Sequence, residues 1–304
     1  MSNDPGTEDA TLLVRCVQTH SVPEPEHNLP EVLDRIAEAR ADGVDLLAFP
    51  ETTSSRLDAP GAEPVAQRLD EGFVAAVAAA TATGAGGSGP TVVVGTVEAH
   101  PDGPPFNTLV ALRGGAVVAR YRKVHLYDAF SFTESRTISP GDGRLETFRV
   151  KGFHIGLVNC YDLRFPEISR LLAERGAEVL LAPASWVAGP LKEEHWSTLC
   201  RARALENTCY LVAPAQTGGN RIGRSAVVAP DGTVRATAGQ EVTTVTHRLT
   251  RSALLAARRA MPVLAQRRFR VDPVPLPHGA APPTPATPTD LSATPLRTPD
   301  RRGR

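Results

Sequence analysis

The chain has 304 residues, and its 33 Lys and Arg equal its 33 Asp and Glu, for a formal net charge of zero. Such a length can bury one large α/β core without disulfide staples, and the charge balance argues against a nucleic-acid or acidic-surface partner, which binds through net basic patches. No apolar run approaches the roughly 20 residues of a membrane helix, and the Met-Ser-Asn-Asp-Pro-Gly start lacks both parts of a signal peptide, so a cytoplasmic protein with no membrane partner is expected.

In chain order, residues 1–10 are small and polar and read as a flexible N-terminus. Residues 11–18 read as a strand, and Val32, Leu33, Ile36 and Ala39 mark one face of a helix ending near Gly43. Residues 44–49 form the next strand, closed by Pro50; a helix over 67–82 and a strand over 91–97 follow. Two strands, 107–112 and 116–122, are joined by the turn Arg113-Gly-Gly115. Residues 153–159 read as a buried strand, 166–174 as a helix, 179–182 as a strand, 193–206 as a helix and 210–215 as a strand. A hairpin over 225–235 turns at Asp231-Gly232, and a helix over 252–260 completes the pattern. Strands alternate with helices, yet some neighbouring strands are joined by tight turns, which favours a mixed-sheet α/β sandwich. One domain over 11–270 is expected. Residues 271–304 carry nine prolines among Ala, Thr and Arg, a composition that predicts a disordered tail.

The four cysteines, at 16, 160, 200 and 209, show neither C-x-x-C nor other metal spacing. Three read as small buried hydrophobes. Cys160 stands apart, because it lies between the end of a strand and the start of a helix. A strand-to-helix turn projects its side chain above the sheet beside free backbone N–H groups, where a nucleophile would be placed; a core cysteine at a strand end is the alternative. No histidine is obviously placed as its base: His154 lies six residues upstream, about 20 Å along an extended strand. Glu51 and Lys123, however, sit at the ends of two other strand runs. In open α/β sheets chemistry gathers beyond the carboxyl ends of strands, so the three could converge as base, cation and nucleophile.

The motifs Phe49-Pro50-Glu51, Tyr121-Arg122-Lys123-Val124-His125-Leu126 and Asn159-Cys160-Tyr161-Asp162-Leu163-Arg164-Phe165-Pro166-Glu167 resemble those of the nitrilase superfamily of carbon–nitrogen hydrolases. Phe132-Thr133-Glu134-Ser135, the stretch from Trp186 to Trp196, Arg201 to Asn207 and Gly223 to Gly232 follow in family order over about residues 11–270. The sequence is most similar to Nit-type amidases, which hydrolyse ω-amides of small carboxylates; ω-amidase and deaminated-glutathione amidase are of this type. It differs from them in a short glycine-rich Gln216–Gly223, in Arg224 and in Arg267–Arg270.

The resemblance implies a four-layer αββα sandwich, a homodimer, no metal and no organic cofactor. It implies that Cys160 attacks an amide carbonyl with Glu51 as general base and ammonia as leaving group. Lys123 and the N–H of Tyr161 would stabilise the oxyanion, and Glu134 would orient Lys123 or the substrate amide. Arg164 is expected either to clamp a substrate carboxylate or to brace the turn through Asp162 or Glu167. Trp186 and Trp196, with Leu191 between, would wall the pocket, and His195 would offer a polar group to the substrate. A nitrilase, an N-carbamoyl amidase or an acyltransferase could use the same triad, and a non-catalytic binding scaffold is the reading from another class.

Overall fold

The computed structural model describes residues 10–57, 64–82, 89–130 and 132–271. The expected flexible N-terminus and proline-rich tail lie, but for residues 10 and 271, outside the described residues.

The strands are β1 (Thr11–Gln18), β2 (Leu46–Ala48), β3 (Thr91–Glu98), β4 (Phe106–Arg113), β5 (Ala116–Arg122), β6 (Asp128–Ala129), β7 (Phe132–Thr133), β8 (Thr147–Val150), β9 (Phe153–Leu157), β10 (Val179–Leu181), β11 (Tyr210–Ala213), β12 (Ala226–Val228), β13 (Val234–Thr237) and β14 (Thr243–Thr250). The helices are α1 (Pro25–Ala41), α2 (Gly72–Thr81), α3 (Pro166–Glu174), α4 (Lys192–Asn207), α5 (Arg251–Ala260) and α6 (Val263–Gln266), with 3₁₀ turns at Glu134–Arg136 and Cys160–Arg164.

Two six-stranded sheets form the centre, in the orders β14-β1-β2-β3-β4-β5 and β13-β12-β11-β10-β9-β8. Both are mixed. β1, β2 and β3 run parallel, as do β9, β10 and β11, whereas the flanking strands pair antiparallel. The side-chain alternation of a strand assigns the two faces of the first sheet. Val93 joins Leu12, Val14, Leu109 and Tyr121 in one apolar cluster with Ile155 and Leu157 of the second sheet. Its neighbours Val92 and Val94 face the other way, into a second cluster with Ile36 of α1 and Phe73 and Val77 of α2. On the far side of the second sheet α3 packs so closely that a Cβ at Gly156 would lie 3.0 Å from Leu172, and α4 adds Trp196, Cys200 and Ala204 to the core. Helices, sheet, sheet and helices thus stack as the αββα sandwich that the sequence led us to expect.

Three local differences have physical causes. The helix expected from residue 67 begins only at Gly72, because Gln67 bridges to Glu98 of β3 and its side-chain oxygen accepts the Phe73 N–H at 2.8 Å. β8 and β14 are strands that the apolar pattern does not reveal. β14 reads Thr-Thr-Val-Thr-His-Arg-Leu-Thr, with only Val245 and Leu249 buried, because an edge strand needs one apolar face alone.

Candidate functional site

Cys160, Glu51, Lys123 and Glu134 meet at the bottom of a cavity of about 410 Å³. Each is delivered by a different element. Beyond β2, the chain stays in register long enough for the Phe49 N–H to bond Val93 at 2.8 Å, then turns sharply through Glu51 and Thr52, the latter at φ 53°. Gly95 of β3 makes the turn possible: it lies against the Glu51–Thr52 backbone, where a Cβ would come within 2.4 Å of the Thr52 nitrogen. Lys123 follows β5 directly, its N–H held by the Asn107 carbonyl at 2.8 Å. Glu134 opens a 3₁₀ turn after the β6–β7 hairpin.

Cys160 begins the 3₁₀ turn between β9 and α3 with φ 49°, a left-handed conformation costly for a residue with a side chain. The strain is held on both sides. The Cys160 N–H bonds the Pro183 carbonyl at 2.9 Å and the Asp162 N–H bonds Asn159 at 3.1 Å. The N–H between them, that of Tyr161, lies in a first turn that offers no helical acceptor. Asp162 is fully buried and accepts the Tyr121 hydroxyl at 2.8 Å, the His125 N–H at 2.9 Å and a His125 Nδ1 contact at 2.7 Å. It thereby ties the cysteine turn to the segment that carries Lys123.

The charged groups form one network. The Lys123 ammonium donates to Glu51 Oε1 and to Glu134 Oε2, each at 2.8 Å, and all three side chains are no more than 5% exposed. The Asn107 amide donates to Glu51 at 2.8 Å and to Glu134 at 2.9 Å, so it holds the two carboxylates on either side of the lysine. Asn159 fixes that amide by donating to Asn107 Oδ1 at 3.0 Å. Glu51 Oε2 accepts the Ser185 N–H at 2.8 Å, and Glu134 Oε2 accepts the Tyr127 N–H at 2.7 Å. Each of the four carboxylate oxygens of Glu51 and Glu134 therefore receives a donor, as a buried charge requires.

Protonation follows from this arrangement. Burial pushes Glu51 upward, but the Lys123 charge and hydrogen bonds from Cys160, Lys123 and Asn107 outweigh it and hold the carboxyl below its ordinary range. Burial raises the Cys160 thiol well above its ordinary value; the Glu51 charge and its hydrogen bond to Glu51 add to this, against the opposing pull of Lys123. Burial disfavours charged Lys123, yet Glu134, Glu51 and Cys160 together raise it well above the usual lysine value. These directions favour a neutral thiol beside a carboxylate and an ammonium. The other cysteines are buried and free, with burial pushing Cys16 up to about 12 and Cys209 up to about 11, as core thiols.

The cavity wall departs from expectation in several places. Trp186 lines it, but Trp196 stands behind Trp186, with ring centroids 5.3 Å apart and its indole N–H given to the Arg224 carbonyl at 2.8 Å. Leu191 is 70% exposed and no part of the lining. Arg164 braces neither Asp162, whose oxygens are already taken, nor the exposed Glu167. Its guanidinium lines the cavity 4.8 Å from the Trp186 ring centre, and its Nε is buried without a partner among the described residues. His195 does not reach the cavity; it sits beside Arg164 and accepts one of its N–H groups at 3.4 Å. Asn107, Asn159, Tyr127, Phe130, Lys192 and Arg221 belong to the site but were not anticipated. For Asn107 there was a signal: a polar residue at the start of an otherwise apolar strand, opposite the end of the strand that carries Lys123.

Residues 13–259 match the profile of the family described as carbon–nitrogen hydrolase. The chain belongs to that family. Among curated carbon–nitrogen hydrolases, it is similar to the deaminated glutathione amidase of Escherichia coli O157:H7, 47% identical over 167 residues, which are 55% of this chain and 64% of that protein. It is also similar to the deaminated glutathione amidase of Synechocystis sp. strain PCC 6803, 32% identical over 280 residues, covering 84% of this chain and 98% of the other. A solved carbon–nitrogen hydrolase superfamily protein from Xanthomonas campestris, with an arsenic adduct in its active site, superposes with a TM-score of 0.75 at 27% identity over 86% of this chain and 98% of that one. This carbon–nitrogen hydrolase is therefore an enzyme, and its sandwich is that of the nitrilase superfamily. Among the described residues no helix is long and apolar enough to cross a membrane.

Proposed function

We propose that the enzyme hydrolyses a small, carboxylate-bearing amide through a thioester on Cys160. The observation that carries this reading is the strained Cys160 lining the same cavity as Glu51, whose carboxylate Lys123 and Asn107 hold in place. Cys160 Sγ attacks the carbonyl carbon while its proton passes to Glu51. The oxyanion is received by Lys123 and the Tyr161 N–H, donors worth about 3 kcal/mol each in comparable sites. Glu51 returns the proton to the nitrogen, the C–N bond breaks and ammonia leaves. Glu51 then deprotonates a water that attacks the thioester, releasing the acid and restoring the thiol. Glu134 keeps Lys123 charged and aimed throughout.

Arg164 takes the substrate carboxylate, a role favoured by its unpartnered buried Nε and its place on the cavity wall. Trp186 supplies an apolar wall. The names of the amidase relatives support the substrate class. The reading also includes a homodimer acting in the cytoplasm; four free, buried cysteines suit a reducing compartment. The test is ammonia release from a panel of ω-amides, nitriles and N-carbamoyl amino acids. Cys160→Ala should abolish turnover and leave the melting temperature close to wild type. Normal activity in that variant refutes the nucleophile, and a preference for nitriles refutes the amidase reading.

A further inference from the structure

Lys192 is a buried cation with no counter-ion among the described residues. It is the first residue of α4 and only 6% exposed, and it borders the cavity. Its ammonium donates to the Tyr127 hydroxyl at 3.0 Å and sits 3.5 Å from the centre of the Phe130 ring, with the Tyr127 ring centre at 5.3 Å. Among the described residues no carboxylate lies within ion-pair reach of it. The position is unfavourable in other ways too, since a helix N-terminus repels a cation. Burial and then the positive charge of Arg164 lower its pKa, with only a weaker opposing effect from Cys160. An aromatic face compensates part of such a cost, but not an absent anion.

We propose that Lys192 and the Tyr127 hydroxyl form a subsite for a second carboxylate of the substrate, separate from the one Arg164 takes, so that the enzyme selects dianionic amides. This rests on the reading of the cavity as the amide site. The donor geometry suits a carboxylate. The Tyr127 oxygen accepts one ammonium N–H and keeps its own proton to give, because burial raises the phenol pKa. Ammonium and phenol thus present adjacent donors, one for each carboxylate oxygen. Arg164 and Lys192 both line the cavity, and their mutual repulsion when it holds no anion becomes a preference for a ligand bearing two negative charges. At about 410 Å³ the cavity lies at the small end of ligand sites, which limits the two charges to one compact molecule.

The test measures binding rather than turnover, so it stands apart from the amidase reading. In the Cys160→Ala protein, dissociation constants are determined by calorimetry for glutaramate, with one carboxylate, and for two dianions. These are 3-carboxyglutaramate, with the second carboxylate on the acyl side, and N-glutarylglycine, with it on the amine side. At least one dianion should bind about 10- to 100-fold more tightly than glutaramate, the range of a charge-assisted contact. Adding Lys192→Met should bring that ratio close to 1, and Lys192→Arg should retain most of it. Lys192→Met should also leave the ligand-free melting temperature equal or higher, because it removes an uncompensated charge. If the Met variant fails to fold, Lys192→Gln serves for the same ratio. A ratio near 1 for both dianions in the parent protein, or a ratio that survives removal of the charge, overturns the assignment. Failure of the wild-type enzyme to hydrolyse any amide, by release of either ammonia or an amine, would instead count against the amidase reading.

Discussion

Replacing Gly95 by alanine tests how Glu51 is held in place. An added Cβ would lie 2.4 Å from the Thr52 nitrogen, 2.7 Å from the Pro50 oxygen and 2.8 Å from the Glu51 carbonyl carbon. Ordinary contact begins near 3.4 Å, so β3 and the Glu51 turn must separate by about 1 Å. All three atoms are backbone, and no side-chain rotation can relieve the clash. Glu51 makes 2.8 Å contacts with Lys123, Asn107 and the Ser185 N–H, which come from three different elements and cannot all follow the displaced turn. A misplacement of about 1 Å in a reacting group commonly costs about 100-fold in rate. Overpacking of this kind costs about 1–3 kcal/mol, or about 2–5 °C of melting temperature in a chain of this size. The expected outcome is a folded protein whose kcat for ω-amide hydrolysis falls about 100-fold, with KM changed far less, measured by ammonia release beside a thermal melt. A Gly95→Ala enzyme with kcat within threefold of wild type would refute the claim that this close approach positions the base.

Two further outcomes follow from the network. Glu51 is held below its ordinary value of 4.5, so it stays ionised until the pH falls through that depressed value, and the acid limb of the kcat/KM profile should lie below pH 4.5. Lys123 is raised, so its charge persists above its ordinary value and is lost only as the pH rises through the raised one. Glu134 is the first of the charges that raise it, and Glu134→Gln should move the alkaline limb to lower pH; an unmoved limb would refute that role. Asp162→Ala should lower the unfolding free energy by about 2–4 kcal/mol in denaturant titration, since it strands the Tyr121 hydroxyl and the His125 donors in the interior. A loss below about 1 kcal/mol would show that the brace is dispensable.

The regular elements were legible wherever burial imposed a period. Pro166–Glu174 has the bounds that its apolar spacing and the proline at its start predict, and the hairpin of β4 and β5 follows from Arg113-Gly-Gly115. β14 was not legible, because an edge strand that buries two side chains in eight carries too weak an alternation. The convergence of Glu51, Lys123 and Cys160 could be inferred from strand ends, since each terminates or follows an apolar run. Asn107 stood out only as a polar residue near the start of a strand, and its role showed only once the two carboxylates were seen on either side of its amide. Arg164 shows the same limit: its sequence neighbours Asp162 and Glu167 offered a partner, and the structure gives Asp162 to Tyr121 and His125 instead.

The sequence by itself determined the alternation of strands and helices, the place of Cys160 between β9 and α3, and the ordered motifs that mark a carbon–nitrogen hydrolase. These are local properties, set by side-chain period, turn chemistry and the residue types that the reaction needs. Only the tertiary structure decided the cavity wall and the charge balance within it. Trp196 and His195 stand back from the cavity, whereas Lys192 enters it with no counter-ion among the described residues, because the approach of α4 to the β6–β7 hairpin depends on how two sheets and their helices stack. A net charge of zero over 304 residues gave no sign of this, since a total does not say where charges gather.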